Sequence, residues 1–136
     1  MKLKSLGYTS RARLDLTEDD LHEIHRSARA CNALDGITGL LIFDGSRFLQ
    51  IIEGAEEAID HLVDRLRADK RHTAFEVRDE RFVDSRSFPD WSMELVHVSA
   101  EYMRAREEIA TKLPPGVAPA VRDVALRMAK ELSRHP

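Results

Sequence analysis

A single cysteine, Cys31, is all the thiol chemistry this chain carries. That excludes an internal disulfide and any cysteine-built metal site, and it favours a reducing, cytoplasmic setting. Long apolar runs are missing too. No stretch approaches the roughly 18 residues a membrane span needs, and Met1-Lys2-Leu3-Lys4 leads into no signal-peptide core. Neither charge sign dominates: 21 basic residues stand against 24 acidic ones, for a net −3. The concentrated basic face of a nucleic-acid binder is therefore absent. Internal repeats and low-complexity tracts are absent as well. What remains is 136 residues, 43% hydrophobic and 33% charged. That composition suits one globular domain with a short appendage, large enough to bury roughly two-thirds of its unfolded surface.

The patterning predicts a first strand from Leu3 to Tyr8. Thr17-Glu18-Asp19-Asp20 reads as a helix start, a capping hydroxyl with an acid three residues on. Leu21, Ile24, Ala28 and Cys31 then draw one apolar stripe on a helix ending near Asn32. Gly36 to Phe43 and Arg47 to Glu53 are β-rich and flank Asp44-Gly45, a two-residue hairpin signal. After Gly54, Ile59, Leu62, Val63 and Leu66 mark a second amphipathic helix. Phe75 to Val83 alternates apolar and charged residues, a strand with one wet face. Phe88-Pro89-Asp90 is a loop, and Ser92 to Val98 is the last strand.

The order βαββαββ predicts an α+β, ferredoxin-like sandwich with two helices on one sheet face. Residues 1–98 are expected to form the core domain and 99–136 a helical extension. In the extension, Ala100 to Leu113 is a short helical stretch, prolines at 114, 115 and 119 interrupt the chain, and Ala120 to Leu132 is a final helix. That helix carries Val121, Val124, Leu126, Met128 and Leu132. It is expected to cover the open sheet face or to contact a second subunit, because a bare sheet would leave an apolar patch in water.

Gln50 is the most informative residue. Strand periodicity puts it on one face with Phe48 and Ile52. If that face is the core, a carboxamide with up to four hydrogen-bonding valences lies in hydrocarbon. Left unsatisfied, it costs on the order of 1–3 kcal/mol. Tyr8, at the end of the first strand, and Asn32, closing the first helix, each have an ordinary explanation: a core ring with its hydroxyl near water, and a cap. Gln50 alone could bond a backbone group or a neighbouring side chain. Together the three could place a phenol and two amides around one site, and two carboxamides can read the edge of a heteroaromatic ring. Cys31 reads as a small core residue. His25, His61 and His97 lack metal-ligand spacing and read as structural or surface residues. Asp19-Asp20 and Glu56-Glu57 lie early in helices, where the dipole favours them.

The sequence resembles the BLUF family, sensors of blue light using flavin. The resemblance rests on Leu6-Gly7-Tyr8-Thr9-Ser10, on Asn32 with Gly36-Ile37-Thr38-Gly39-Leu40-Leu41, and on Phe48-Leu49-Gln50-Ile51-Ile52-Glu53-Gly54. Asp69-Lys70-Arg71-His72 and Arg86-Ser87-Phe88-Pro89-Asp90-Trp91-Ser92-Met93 complete it. It runs from about Leu3 to Val98.

The resemblance implies roles. Tyr8 would hydrogen-bond the glutamine and give an electron and a proton to the excited flavin. Gln50 would lie between Tyr8 and the flavin's N5 and C4 carbonyl, and Asn32 would contact the C4 carbonyl and N3 edge. Asp69, Arg71 and His72 would lie near the ribityl and phosphate end. Ile24 and Phe48 would help form the apolar slot, with Cys31 beside it. Met93 and Trp91 would stand near the glutamine. The cofactor would be FAD, with FMN and riboflavin left open.

Rotation or tautomerisation of Gln50 would then change which group faces the ring, giving a reversible red-shifted signalling state. The chain is expected to catalyse no reaction. It shows no recognisable output domain, so the signal is expected to pass to a separate effector protein or through a homodimer, with no nucleic acid or membrane contacted directly. Two competing readings share the topology. One is a light-inert binding module. The other is an acylphosphatase-like hydrolase, faintly echoed in Thr9-Ser10-Arg11.

Overall fold

The computed structural model describes residues 2–132. Its elements run β1 (Leu3–Ala12), α1 (Glu18–Asp35), β2 (Thr38–Phe43), β3 (Arg47–Ala55), α2 (Glu56–Ala68), β4 (His72–Val83), β5 (Glu94–His97), α3 (Tyr102–Lys112) and α4 (Pro119–Leu132). The five strands form one sheet in the order β4-β1-β3-β2-β5. β1, β2, β3 and β4 pair antiparallel, the ferredoxin-like arrangement expected, and β5 adds parallel to β2 at the edge.

The central strand β3 is buried along nearly its whole length. A strand covered on both faces sorts its side chains by parity, and β3 does so. Phe48 and Ile52 join a cluster with Leu6, Tyr8, Leu41, Leu21, Ile59 and Leu62, beneath α1 and α2. Leu49 and Ile51 join the opposite cluster with Leu40, Ile42, Ile109, Val121, Val124, Ala125 and Met128, beneath α3 and α4. The C-terminal helices thus cover the second sheet face, and the molecule has three layers. Leu132, placed by the pattern on the last helix, has its side chain outside the described residues. The approach of α4 depends on Gly7 of β1. A β-carbon there would stand 2.9 Å from Met128 Cε and 3.2 Å from Val124 Cγ1.

Several boundaries differ from the sequence-based expectation. β1 continues to Ala12, so Tyr8 lies in mid-strand rather than at its end. The polar run Thr9-Ser10 hides this continuation. Its hydroxyls are buried because β4 supplies partners: Arg78 Nε donates to Thr9 Oγ1 at 2.9 Å, and Ser10 Oγ meets His72 Nδ1 at 2.7 Å. The same pairing leaves Thr9-Ser10-Arg11 in the sheet, where it builds no anion cradle.

α1 begins as expected, with Thr17 and Asp20 exchanging both capping-box bonds at 3.0 Å. It runs one turn past Asn32 because its C-cap is Gly36, held in the left-handed region at φ 68° where a side chain is disfavoured. The hairpin tip also shifts by one residue. Asp44 N–H donates to Arg47 O, so Gly45-Ser46 forms the tip, and the Asp44 carboxylate accepts from the Ser46 and Arg47 amides. β5 is shorter than expected because Ser92 and Met93 leave the ladder.

Candidate functional site

Tyr8 and Gln50 are direct partners in the β1–β3 register, both facing the α1/α2 layer. Both are almost fully buried. The Tyr8 hydroxyl donates to Gln50 Oε1. The other end of the amide, Nε2, donates to Met93 Sδ at 3.2 Å. A thioether offers only acceptor capacity, so it selects the amino end of the carboxamide and leaves the carbonyl end to the phenol. Gln50 therefore meets the hydrogen-bonding demand expected of a buried amide through two side chains rather than the backbone. Burial pushes the Tyr8 phenol well above its ordinary pKa, and the nearby charge of Asp69 adds to the effect. The phenol accordingly keeps its proton and its donor role.

These residues form part of the wall of a cleft between α1, α2 and the sheet. Its cavity volume is about 180 Å³, and its mouth opens to solvent. Ile24, Ala28, Cys31 and Asn32 of α1 line it, with Leu41 and Phe48 of the sheet, Leu62, Arg65 and Leu66 of α2, and Asp69, Arg71 and His72 beyond it.

Asn32 is the most telling member. It is 1% exposed, and neither Oδ1 nor Nδ2 finds a hydrogen-bond partner among the described residues. Native structures rarely leave such atoms unpaired, and doing so costs on the order of 1–3 kcal/mol. The unpaired amide lies in the wall of the cleft, beside Ala28 and Cys31 of the same helix, where it matches a ligand edge that presents both a donor and an acceptor.

The cleft's charged groups come from the end of α2 and the start of β4. Asp69 and Arg71 pair at 2.6 Å. The Arg71 guanidinium holds the Asp69 carboxyl below the usual carboxylate range. His72 has both ring nitrogens engaged, Nδ1 with Ser10 Oγ and Nε2 with the Leu66 carbonyl at 2.6 Å. It clasps β1 and α2. Arg65, which sequence reasoning missed, lines the same cleft and pairs with Asp35 at 3.4 Å across 52% and 44% exposed side chains. Its spacing from Leu62 and Leu66 on α2 could have flagged it.

Two expectations need correction. Cys31 is exposed on the flank of the cleft and is not a core residue. Trp91 does not stand by Gln50. Its ring stacks on Phe88 at 5.6 Å against the cluster on the opposite sheet face, and Met93 holds the position at the amide. The connection bearing both residues is tied down by Glu53, which sequence reasoning read only as a strand end. Its buried carboxylate accepts from the Ser87 and Phe88 amides at 3.0 and 3.2 Å.

Among the described residues no group of three or more His, Cys, Asp or Glu side chains could hold a metal ion. Nor is any described helix long and apolar enough to cross a membrane.

Comparison with known proteins gives concordant findings. A family model described as "BLUF: Sensors of blue-light using FAD" matches residues 3–94. The photoactivated adenylate cyclase subunit beta of Euglena gracilis is 30% identical over 132 residues, which is 96% of this chain but 14% of that protein. The chain thus spans about a seventh of the cyclase subunit it matches. The solved BLUF domain of BlrP1 is 30% identical with a TM-score of 0.80, covering 98% of this chain and 91% of that one. A dark-state structure of BlrB, a BLUF protein, is 34% identical with a TM-score of 0.71, covering 97% and 90%. Klebsiella pneumoniae BlrP1 with FMN and cyclic diGMP is 29% identical with a TM-score of 0.76, covering 95% of this chain and 35% of that one.

Proposed function

The chain belongs to the BLUF family, sensors of blue light using FAD, and from that premise we propose that its cleft binds a flavin and that Gln50 exchanges hydrogen bonds when light is absorbed. The observation that carries the proposal is the Gln50 carboxamide, held at one end by a phenol and at the other by a weak sulfur acceptor, within the same cleft wall as the unpartnered Asn32 amide.

The cleft residues fit the cofactor. Asn32 would take a ring edge that both donates and accepts. Ile24 and Phe48 would supply apolar walls, and Cys31 would flank them. Asp69 and Arg71, with Arg65 nearby, would meet the polar tail, while His72 fixes that end of the cleft in shape. Bound there, the flavin supplies absorption of blue light and, once excited, an acceptor for an electron and a proton. Tyr8 holds a proton ready, because burial keeps its phenol protonated and its hydroxyl is already oriented. When that proton leaves, Gln50 Oε1 loses its donor. The amide can then turn or tautomerise, and the bond from Nε2 to Met93 Sδ offers little resistance. A buried network has few half-satisfied arrangements of low cost, so the amide settles in discrete states.

FAD is the flavin proposed, since the family description names it. BlrP1 is seen with FMN, which supports a pocket that holds the ring more firmly than the tail. We further propose that residues 1–98 form the sensor and residues 99–136 a cap through which the signal reaches a separate effector or a second copy, in the cytoplasm and without catalysis by this chain. The cyclase activity belongs to the Euglena proteins.

The purified protein is expected to be yellow and to show a reversible red shift of its flavin absorption under blue light. Mass spectrometry of the released chromophore identifies the flavin. A preparation that stays colourless after flavin reconstitution, or a flavin spectrum that light leaves unmoved, overturns the reading.

A further inference from the structure

The hydrogen-bond chain that starts at Tyr8 does not end at Met93. His25 on α1 lies within 2.8 Å of the Met93 carbonyl oxygen through Nε2. A carbonyl only accepts, so Nε2 carries the proton and donates. This contact crosses 68 residues of sequence. It also accounts for the late start of β5, since the Met93 carbonyl points to α1 and not to β2. The tie is therefore specific to one backbone atom of the residue whose sulfur receives Gln50 Nε2.

We infer that His25 is a positioning residue for the light response, holding Met93 so that its sulfur stands ready to take back the Gln50 amide. The inference rests on the sensor reading above and adds a residue to it. Methionine is unbranched, with several rotatable bonds and a weak acceptor. Such a side chain is a poor hydrogen-bond partner unless its backbone is fixed. Three things fix Met93: its burial at 2% exposure, the parallel pairing that begins at Glu94, and His25. Of these only His25 comes from the helix that also carries Asn32 and Cys31 of the cleft. In the dark arrangement Gln50 is bonded at both ends. After the exchange, return requires the sulfur to be where Nε2 can find it. Without the His25 tie, Met93 samples more positions and the return slows.

The test compares the full chain with His25→Leu and His25→Gln, purified in the dark with its bound flavin. His25→Leu is expected to keep the flavin and the red shift but to slow dark recovery roughly three- to tenfold, the scale of one hydrogen bond. His25→Gln, whose amide can donate to the same carbonyl, is expected to restore the rate. A second measurement needs no illumination. With methionine labelled at its carbonyl carbon, the Met93 signal, assigned by its loss in Met93→Leu, should move upfield in His25→Leu and return in His25→Gln.

Unchanged recovery in His25→Leu overturns the role. So does a His25→Gln protein that recovers as slowly as His25→Leu while its carbonyl signal is restored. An immobile Met93 signal overturns the contact itself. If the unmodified protein shows no red shift, the sensor reading falls and the recovery role with it, while the carbonyl signal still reports the tie.

Discussion

On the α3/α4 side of the sheet, Ile42, Leu49 and Ile51 meet Ala105, Ile109, Val124 and Ala125 with almost no surface left to water. On the α1/α2 side, Tyr8, Gln50 and Asn32 are nearly as inaccessible, yet they stand in the wall of a cleft, and one of them has no partner. Both layers use the same amphipathic helix logic on the same strands. The difference lies in what the buried positions are asked to do. Close-packed aliphatic side chains give cohesion and one arrangement. Amides and a phenol in hydrocarbon give few arrangements, separated by the cost of broken bonds. On the proposed reading, stability and response are thus assigned to opposite faces of one sheet.

The sharpest way to break that division is Gln50→Leu. It should retain flavin and abolish the light-induced red shift, read from the difference spectrum; a normal photocycle would refute the role of the amide. Next in size is a cut on the other face. Ile109→Ala should lower stability by about 2–5 kcal/mol, seen as a lower denaturant midpoint, and leave the red shift intact. Loss of the shift in a folded Ile109→Ala protein would show that the faces are not separable. Asn32→Leu should act with opposite signs on the two properties. Removing an unsatisfied amide should stabilise the flavin-free protein by about 1–3 kcal/mol and weaken flavin retention, followed by fluorescence of released flavin.

Titration sharpens the picture more gently. The folded protein holds the Tyr8 proton more tightly than the unfolded chain does. Its contribution to stability is complete below the ordinary tyrosine pKa of about 10 and is lost as pH rises past that value toward the raised one. Denaturation midpoints measured through that range should fall, and fall less in Tyr8→Phe. The smallest effect is expected for Gly7→Ala. The new methyl meets the flexible end of Met128 at 2.9 Å and Val124 Cγ1 at 3.2 Å, so stability should fall by about 1 kcal/mol, the low end of the overpacking range.

Much of this division was legible in the sequence. The stripe through Leu21, Ile24 and Ala28, the Thr17 capping box and the alternation along Phe75 to Val83 each specify an element locally, and the structure has them. Gln50 could be singled out because strand parity made it anomalous. What was not legible depends on residues far apart in the chain. β1 extends through Thr9 and Ser10 only because Arg78 and His72 come to meet their hydroxyls. Trp91 does not join Met93 at the amide because it packs against the cluster beneath α3 and α4. Cys31 continues an apolar stripe but sits where the helix flanks a cleft, so periodicity alone misreads its exposure.

Glu53 sits three positions beyond Gln50 on β3, with parity pointing the other way. Its carboxylate fastens the amides of Ser87 and Phe88 while Gln50 touches the sulfur of Met93, a few residues further along the same connection. Desolvation raises the Glu53 pKa, and the Phe88 and Ser87 amides, the Arg86 charge and the Thr38 hydroxyl offset part of that cost. A single strand therefore grips one connection at two places. Sliding β3 by one residue would release both grips at once and turn Gln50 to the wrong face. On the proposed role of Gln50, that couples the accuracy of strand pairing during folding directly to the fidelity of colour sensing.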